Sequence, residues 1–181
     1  AISGPLAESW SEKLAEEERG RKMREKAESG DAEAMLFMGL WYDCGDNGLK
    51  VDYKKAAYWY QRGHDLCEHP TCASSLGTLS YEGLGVKENE AYAVHLYTAA
   101  ALRGSKQGCF NLANYFAKGD AGLPKNRREA RRWFRAIEKA EEDDLHEKDE
   151  EYAEEWLRKH EDGDGNLVDA SEDDDEEEEE E

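Results

Sequence analysis

Residues 38–60 read Met-Gly-Leu-Trp-Tyr-Asp-Cys-Gly-Asp-Asn-Gly-Leu-Lys-Val-Asp-Tyr-Lys-Lys-Ala-Ala-Tyr-Trp-Tyr, and their pattern returns twice along the chain. Met38-Gly39 and Gly45 correspond to Leu76-Gly77 and Gly83, then to Leu112-Ala113 and Gly119. Downstream, Ala56 with Trp59-Tyr60 corresponds to Ala93 with Leu96-Tyr97 and to Ala130 with Trp133-Phe134. Ala56, Ala93 and Ala130 lie 37 residues apart, while Gly39, Gly77 and Ala113 lie 38 and 36 apart. Such a period is the mark of stacked two-helix units, whose small length differences fall in loops.

Within each unit the first helix carries a small residue (Ala34, Cys72, Gly108) four positions before Met38, Leu76 or Leu112. Small residues there, and at Gly39, Gly77 and Ala113, let a partner helix come close. An aromatic follows in two units (Tyr42, Phe116), whereas the middle unit has Ser80 beside Tyr81, so its packing must differ. Gly45, Gly83 and Gly119 supply the left-handed stop that ends the first helix. Asp52, Asn89 and Asn126 are N-caps for the second helix, whose Ala and aromatic positions recur at helical spacing as an inward stripe.

These residues resemble the Sel-1-like repeats, relatives of the tetratricopeptide repeats. Gly83-Leu84-Gly85-Val86 and Lys55-Ala56-Ala57-Tyr58-Trp59-Tyr60 carry the likeness most closely, and it covers about residues 27–140. The resemblance implies an all-α, right-handed α/α superhelix of three repeats, at about 31–66, 67–103 and 104–140 within residues 31–140. Residues 1–30 are expected to hold an N-terminal capping helix, with Trp10, Leu14, Met23 and Ala27 spaced to dock. Residues 141–160 are expected to form a C-terminal helix whose Tyr152, Trp156 and Leu157 cover the last repeat, because a terminal unit needs a cover. Residues 161–181 read as a disordered acidic tail.

Charge divides the chain sharply. Residues 1–137 hold 19 acids and 20 bases, whereas residues 138–181 hold 25 acids and 4 bases. The body is near neutral, and the low pI of the whole comes from the end. Asp169–Glu181 is almost wholly Asp and Glu, which cannot bury apolar surface. Its bland role is a solubilising terminus, and its sharper one a mimic of nucleic acid that attracts basic proteins such as histones. Nucleic acid itself is an unlikely partner, since the tail would repel and compete with it. No apolar run is long enough to span a membrane, and a monomer is expected.

Chemistry-bearing clusters give little. No Gly-rich phosphate loop, nucleophile elbow or His-Glu-x-x-His is present, so no enzyme is expected. His64, Cys67, His69 and Cys72 crowd one junction, but Pro70 interrupts them and the spacing fits no common zinc finger, so no metal and no cofactor is assigned. Some bacterial relatives staple each helix pair with a disulfide. Here Cys109 matches one half, while the partner positions hold His64, Ala101 and Glu138, so that staple is absent. Cys72 reads as a small core residue, although Cys67 and Cys72 could pair. A reducing intracellular compartment, cytoplasm or nucleus, is favoured, with an organelle reached through a removed transit peptide as the open alternative. Asp162-Gly163-Asp164-Gly165-Asn166-Leu167 resembles the middle of an EF-hand loop, but the bidentate Glu position is Ser171, which leaves only weak cation binding.

Two binding surfaces stand out. First helices of such units line the concave side, where the resemblance implies that a partner peptide or helix docks. Phe37 and Trp41, with their equivalents Ser75 and Leu79, Asn111 and Tyr115, form the expected ladder; some could instead pack between repeats. Arg127, Arg128, Arg131, Arg132 and Arg135 fall on one face of the third unit's second helix, opposite Ala130, Trp133, Phe134 and Ile137. They are either a solvated outer face or a dock for anions, from a partner or from the chain's own tail. The overall expectation is a non-catalytic adaptor or scaffold, with an acidic-tail binder of basic proteins as the competing reading.

Overall fold

The structure is a computed structural model that describes residues 5–120, 122–141, 145–161, 165, 167 and 168, with only the backbone described for residues 5–12. Eight helices are found among the described residues: α1 (Pro5–Glu28), α2 (Ala32–Cys44), α3 (Tyr53–Cys67), α4 (Pro70–Glu82), α5 (Glu90–Leu102), α6 (Lys106–Lys118), α7 (Arg127–Ile137) and α8 (Glu147–His160). Each packs on the next, and the pairs α2–α3, α4–α5 and α6–α7 are the tightest. Contacts of α2 with α4, and of α4 with α6, align the first helices of successive units along one side.

Local chemistry sets the helix boundaries as the sequence implies. Asp52, Asn89 and Asn126 accept hydrogen bonds from the backbone N–H of Lys55, Tyr92 and Glu129. Gly45, Gly83 and Gly119 sit at φ 73°, 68° and 79°, each closing its helix with an N–H bond to Trp41, Leu79 or Tyr115. A further clasp repeats in the pairs α2–α3, α4–α5 and α6–α7. The N–H of Asp52, Asn89 and Asn126 donates to the carbonyls of Tyr42, Ser80 and Phe116 at 2.8, 2.8 and 2.7 Å. This backbone bond fixes the inter-helix turn whatever side chain follows it, so Ser80 can stand where the other units have an aromatic.

The small residues of the first helices meet the aromatics of the second. A Cβ on Gly39 would lie 2.3 Å from the Tyr60 ring, and one on Gly77 2.8 Å from the Tyr97 ring. Ala113 and Phe134 take the same places in the third unit, both buried in one cluster. Tyr60, Tyr97 and Phe134 are thus the inner pegs of the three units, and all are buried. Burial pushes the Tyr97 hydroxyl up to about 12, against the lowering effect of its hydrogen bond with Thr78.

The flanks cover the stack unevenly. Ala27 is fully buried and Met23 packs against the first core cluster, while Arg24 donates to the Tyr42 hydroxyl at 3.1 Å. Leu14, expected to dock, is 63% exposed, because α1 engages α2 through its C-terminal half. The side chain of Trp10 lies outside the described residues. At the other end Ala153, Trp156 and Leu157 are buried on the last unit, and the Trp156 and Phe134 ring centroids are 4.9 Å apart. Tyr152 reaches the Phe110 and Phe134 rings edge-on while keeping 42% of its surface exposed.

Candidate functional site: a polar groove and an arginine face

The expected ladder divides in two. Trp41, Leu79 and Tyr115 are buried, because this stripe faces neighbouring helices and not solvent. Phe37 is exposed, with its ring centroid 6.4 Å from that of Trp41, and Ser75 and Asn111 are half-buried. The open side of the first helices lies one position back from the buried stripe. Leu40, Thr78 and Asn114, the residues just before Trp41, Leu79 and Tyr115, are half-buried.

A cavity of about 750 Å³ runs across α2, α4 and α6, lined by Leu36, Leu40, Asp43, Ser75, Thr78 and Asn111 among others. Its floor is the inner pegs, since Tyr60 and Tyr97 also line it. A smaller cavity of about 130 Å³ continues it between Tyr81, Asn111, Asn114 and Tyr115. Tyr81, the residue beside Ser80, points here and meets the Tyr115 ring edge-on at 6.0 Å. The lining combines apolar surface, from two leucines at one end and three tyrosine rings, with the carboxylates of Asp43 and Glu82 and with hydroxyls and carboxamides. Hydroxyls and carboxamides can both donate and accept, which suits a peptide backbone that must exchange water for protein partners. Asp43 accepts from the Tyr60 hydroxyl at 3.2 Å. Partial burial holds its carboxyl above the ordinary carboxylate range, with that hydrogen bond opposing.

Of the five arginines on α7, two are engaged by the chain that returns after α8. Arg135 grips the Glu161 carboxylate with Nε and Nη2, the former at 3.2 Å. Arg131 lies 3.8 Å from the same carboxylate and donates to the Gly165 carbonyl at 2.7 Å. The Glu161 side chain is only 5% exposed between them. Glu161 also forms a single antiparallel bridge with Leu167, and Val168 N–H donates to the His160 carbonyl at 3.0 Å. Arg132 pairs with Glu129 and lies 5.3 Å over the Trp133 ring, while Arg127 and Arg128 line a separate cavity at the start of α7.

The junction of histidines and cysteines takes ordinary packing roles. His69 Nε2 meets Glu33 at 3.3 Å, and Cys67 donates weakly to the Gly30 carbonyl. Cys72 is buried against Gly63, and burial pushes its thiol up to about 12. All four cysteines are free thiols, and Cys109 shares a core cluster with Ala101, the position where stapled relatives would carry the second sulfur. No group of three or more His, Cys, Asp or Glu among the described residues is placed to hold a metal ion. Asp162, Gly163, Asp164 and Asn166 of the EF-hand-like run lie outside the described residues. No described helix is long and apolar enough to cross a membrane.

Comparison with known proteins agrees with this architecture. A 116-residue stretch is 33% identical to the ERAD-associated E3 ubiquitin-protein ligase component HRD3B of Arabidopsis thaliana, covering 64% of this chain. The matched stretch is 18% of that protein's length. Among solved structures, the chain is similar to c5321, a protective antigen of uropathogenic Escherichia coli displaying an SLR fold. There the TM-score is 0.59 and the identity 30%, over 65% of this chain and 24% of that one. It is likewise similar to a Sel1 repeat protein from Oxalobacter formigenes, with TM-score 0.59 and 29% identity over 66% of this chain and 88% of that one. The Sel1 repeat matches at residues 32–63, 70–105, 106–137 and 142–159.

The last match corrects the count of three. The helix read as a C-terminal cap, α8, lies within the fourth match and is the first helix of a fourth unit. Its signal is Ala153 four residues before Leu157, the spacing of Ala34 to Met38. It is obscured because Arg158 stands where the other units have Gly39, Gly77 or Ala113. Among the described residues no second helix packs on α8 to demand a small residue there. With four in-phase matches over well over half of its length, the chain belongs to the Sel1 repeat family.

Proposed function

We propose that this stack is a non-catalytic adaptor that holds a peptide or helix of a partner protein in its concave groove. Sel1 repeats are in general protein–protein interaction modules. The observation that carries the finer reading is the continuous cavity over three first helices, floored by Tyr60 and Tyr97 and walled by Ser75, Thr78 and Asn111. Its side chains are already held by the repeat packing, so little ordering entropy is lost when a partner binds. The relative named as a component of an E3 ubiquitin-protein ligase supports work inside an assembly.

The test uses a photoreactive amino acid at Ser75 or Asn111, with Tyr58 on the outer face of α3 as control. Substituting Trp41 or Tyr115 is unsuitable, because both are buried and their loss would loosen the stack. Partner adducts are expected from Ser75 and Asn111, not from Tyr58, and are expected to persist when residues 169–181 are removed. Adducts that disappear with the tail, and with rising salt, would instead favour the acidic-tail binder of basic proteins.

A further inference from the structure

We propose that the basic patch at the start of α7 is the dock of the chain's own acidic segment, Asp169–Glu181. The patch is built by two adjoining cavities at the α6–α7 turn and the start of α7, and Lys118 also lines the smaller cavity that continues the groove. One, of about 490 Å³, is lined by Lys125, Asn126, Arg127, Arg128 and Leu167. The other, of about 340 Å³, shares Lys125 and Arg127 and adds Lys118 and Lys159, with Glu155 as the acid among its walls.

Three observations choose the occupant. First, this face already holds a carboxylate of the same stretch of chain, since Glu161 is seated between Arg131 and Arg135 and the Gly165 carbonyl is bound by Arg131. Second, the bridge of Glu161 with Leu167 and the Val168–His160 bond bring the chain back to α7 and release it at the mouth of the cavity that Leu167 lines. Asp169 follows within about 7 Å of Leu167 on the reach of an extended chain. Third, charge is complementary: 11 of the 13 residues from 169 to 181 are acids, and the cavity that Leu167 lines is walled by Lys125, Arg127 and Arg128. A tether this short gives an effective concentration in the millimolar range. Weak individual pairs, of the kind measured at surfaces, then suffice in sum. The segment meets the patch beside the groove's α6 end and leaves the α2–α4 part of the groove open. It is withheld from basic partners until salt or a stronger base displaces it.

The experiment uses the full chain with Cys44→Ser and Cys67→Ser, which removes the accessible thiols, and a spin label on Ser171→Cys. Amide line broadening is read along the molecule at about 50 mM and about 0.5 M salt, where the Debye length falls severalfold. At low salt the amides of residues 125–131 should broaden at least about threefold more than those of residues 19–22 on α1, a control stretch that is also basic, as a tether-enforced contact requires. The excess should fall at least about twofold at high salt and in Lys125→Glu/Arg128→Glu, two exposed sites whose spectra report retained folding, to the level that the Leu167 anchor alone enforces. Equal broadening on α1 and α7, an excess unchanged by salt or by charge reversal, or no broadening at low salt would overturn the proposal. An excess that appears only when a spin-labelled chain is mixed with an isotope-labelled one would also overturn it, since the occupant would be a second copy.

Discussion

Replacing Gly39 by alanine adds one methyl group to the middle of α2, a change that helix propensity alone rewards by about 1 kcal/mol. The tertiary structure reverses the sign. The new Cβ would stand 2.3 Å from Tyr60 Cε1 and 2.5 Å from Cδ1, against about 3.5–4.0 Å for ordinary carbon contacts. The ring must therefore withdraw by about 1 Å or more, and Tyr60 is fully buried with its hydroxyl tied to Asp43. Overpacking of this kind costs about 1–3 kcal/mol, and stretching the hydroxyl bond adds up to about 1 kcal/mol. Net of propensity, Gly39→Ala should destabilise by about 2 kcal/mol, a fall in Tm of about 4–8 °C for a body of this size. Gly20→Ala in α1 is the internal control, because nothing lies within 4 Å of a Cβ there. It should stabilise by up to about 1 kcal/mol. Urea unfolding followed by circular dichroism reads both. Combining Gly39→Ala with Tyr60→Leu should cost less than the sum of the two, by at least about 1 kcal/mol of coupling. A Gly39→Ala protein as stable as its parent, or strict additivity in that pair, would refute the peg-and-glycine account of the unit.

Three other outcomes follow from the structure. Asp43 has a folded pKa raised above its ordinary 3.8, mainly by burial, so its penalty is absent below that value and grows as pH rises through the raised one. Asp43→Asn should therefore stabilise at pH 7, and the gain should shrink toward pH 4; a constant gain in chemical denaturation would contradict this. Glu161→Ala leaves Arg131 and Arg135 without their shared carboxylate, and should speed hydrogen exchange at Val168 about fivefold to tenfold, the discount reflecting the partly exposed arginines. Unchanged exchange there would mean that the bridge with Leu167 suffices alone. Thiol labelling of the native protein should reach the exposed Cys44 within seconds to minutes and leave Cys72 and Cys109 unreacted until denaturant is added, because both are buried and the Cys72 thiol titrates only near about 12. Rapid native labelling at Cys72 would show that the α3–α4 junction opens.

Much of the architecture was legible in the residues because its determinants are local. An Asp or Asn cap, a glycine that must turn left-handed and an alanine–aromatic stripe each act within one or two turns of helix, so Asp52, Gly45 and Ala56 could be read in place. Their recurrence every 36 to 38 residues then assigns the solenoid, since units that share a period share a packing solution. The fourth unit escaped this reading at Arg158, where the glycine signal disappears.

What the sequence could not decide is which side of each first helix is free. Neighbouring positions on a helix differ by about 100°, and in a stack the first helix is covered by its own partner and by the units before and after it. Phe37, Trp41, Ser75, Leu79, Asn111 and Tyr115 share a spacing, yet packing buries Trp41, Leu79 and Tyr115 and leaves the wall to Leu40, Ser75, Thr78 and Asn111. The grip of Arg131 and Arg135 on Glu161 was equally out of reach, because 26 residues separate Arg135 from Glu161 and only the return of the chain after α8 brings them together. Periodicity and capping chemistry determined that this chain is a Sel1 stack. The rotation of its helices and the path of the chain after α8, set by burial and by long-range charge pairing, decided which faces of the stack stay open and which arginines are engaged.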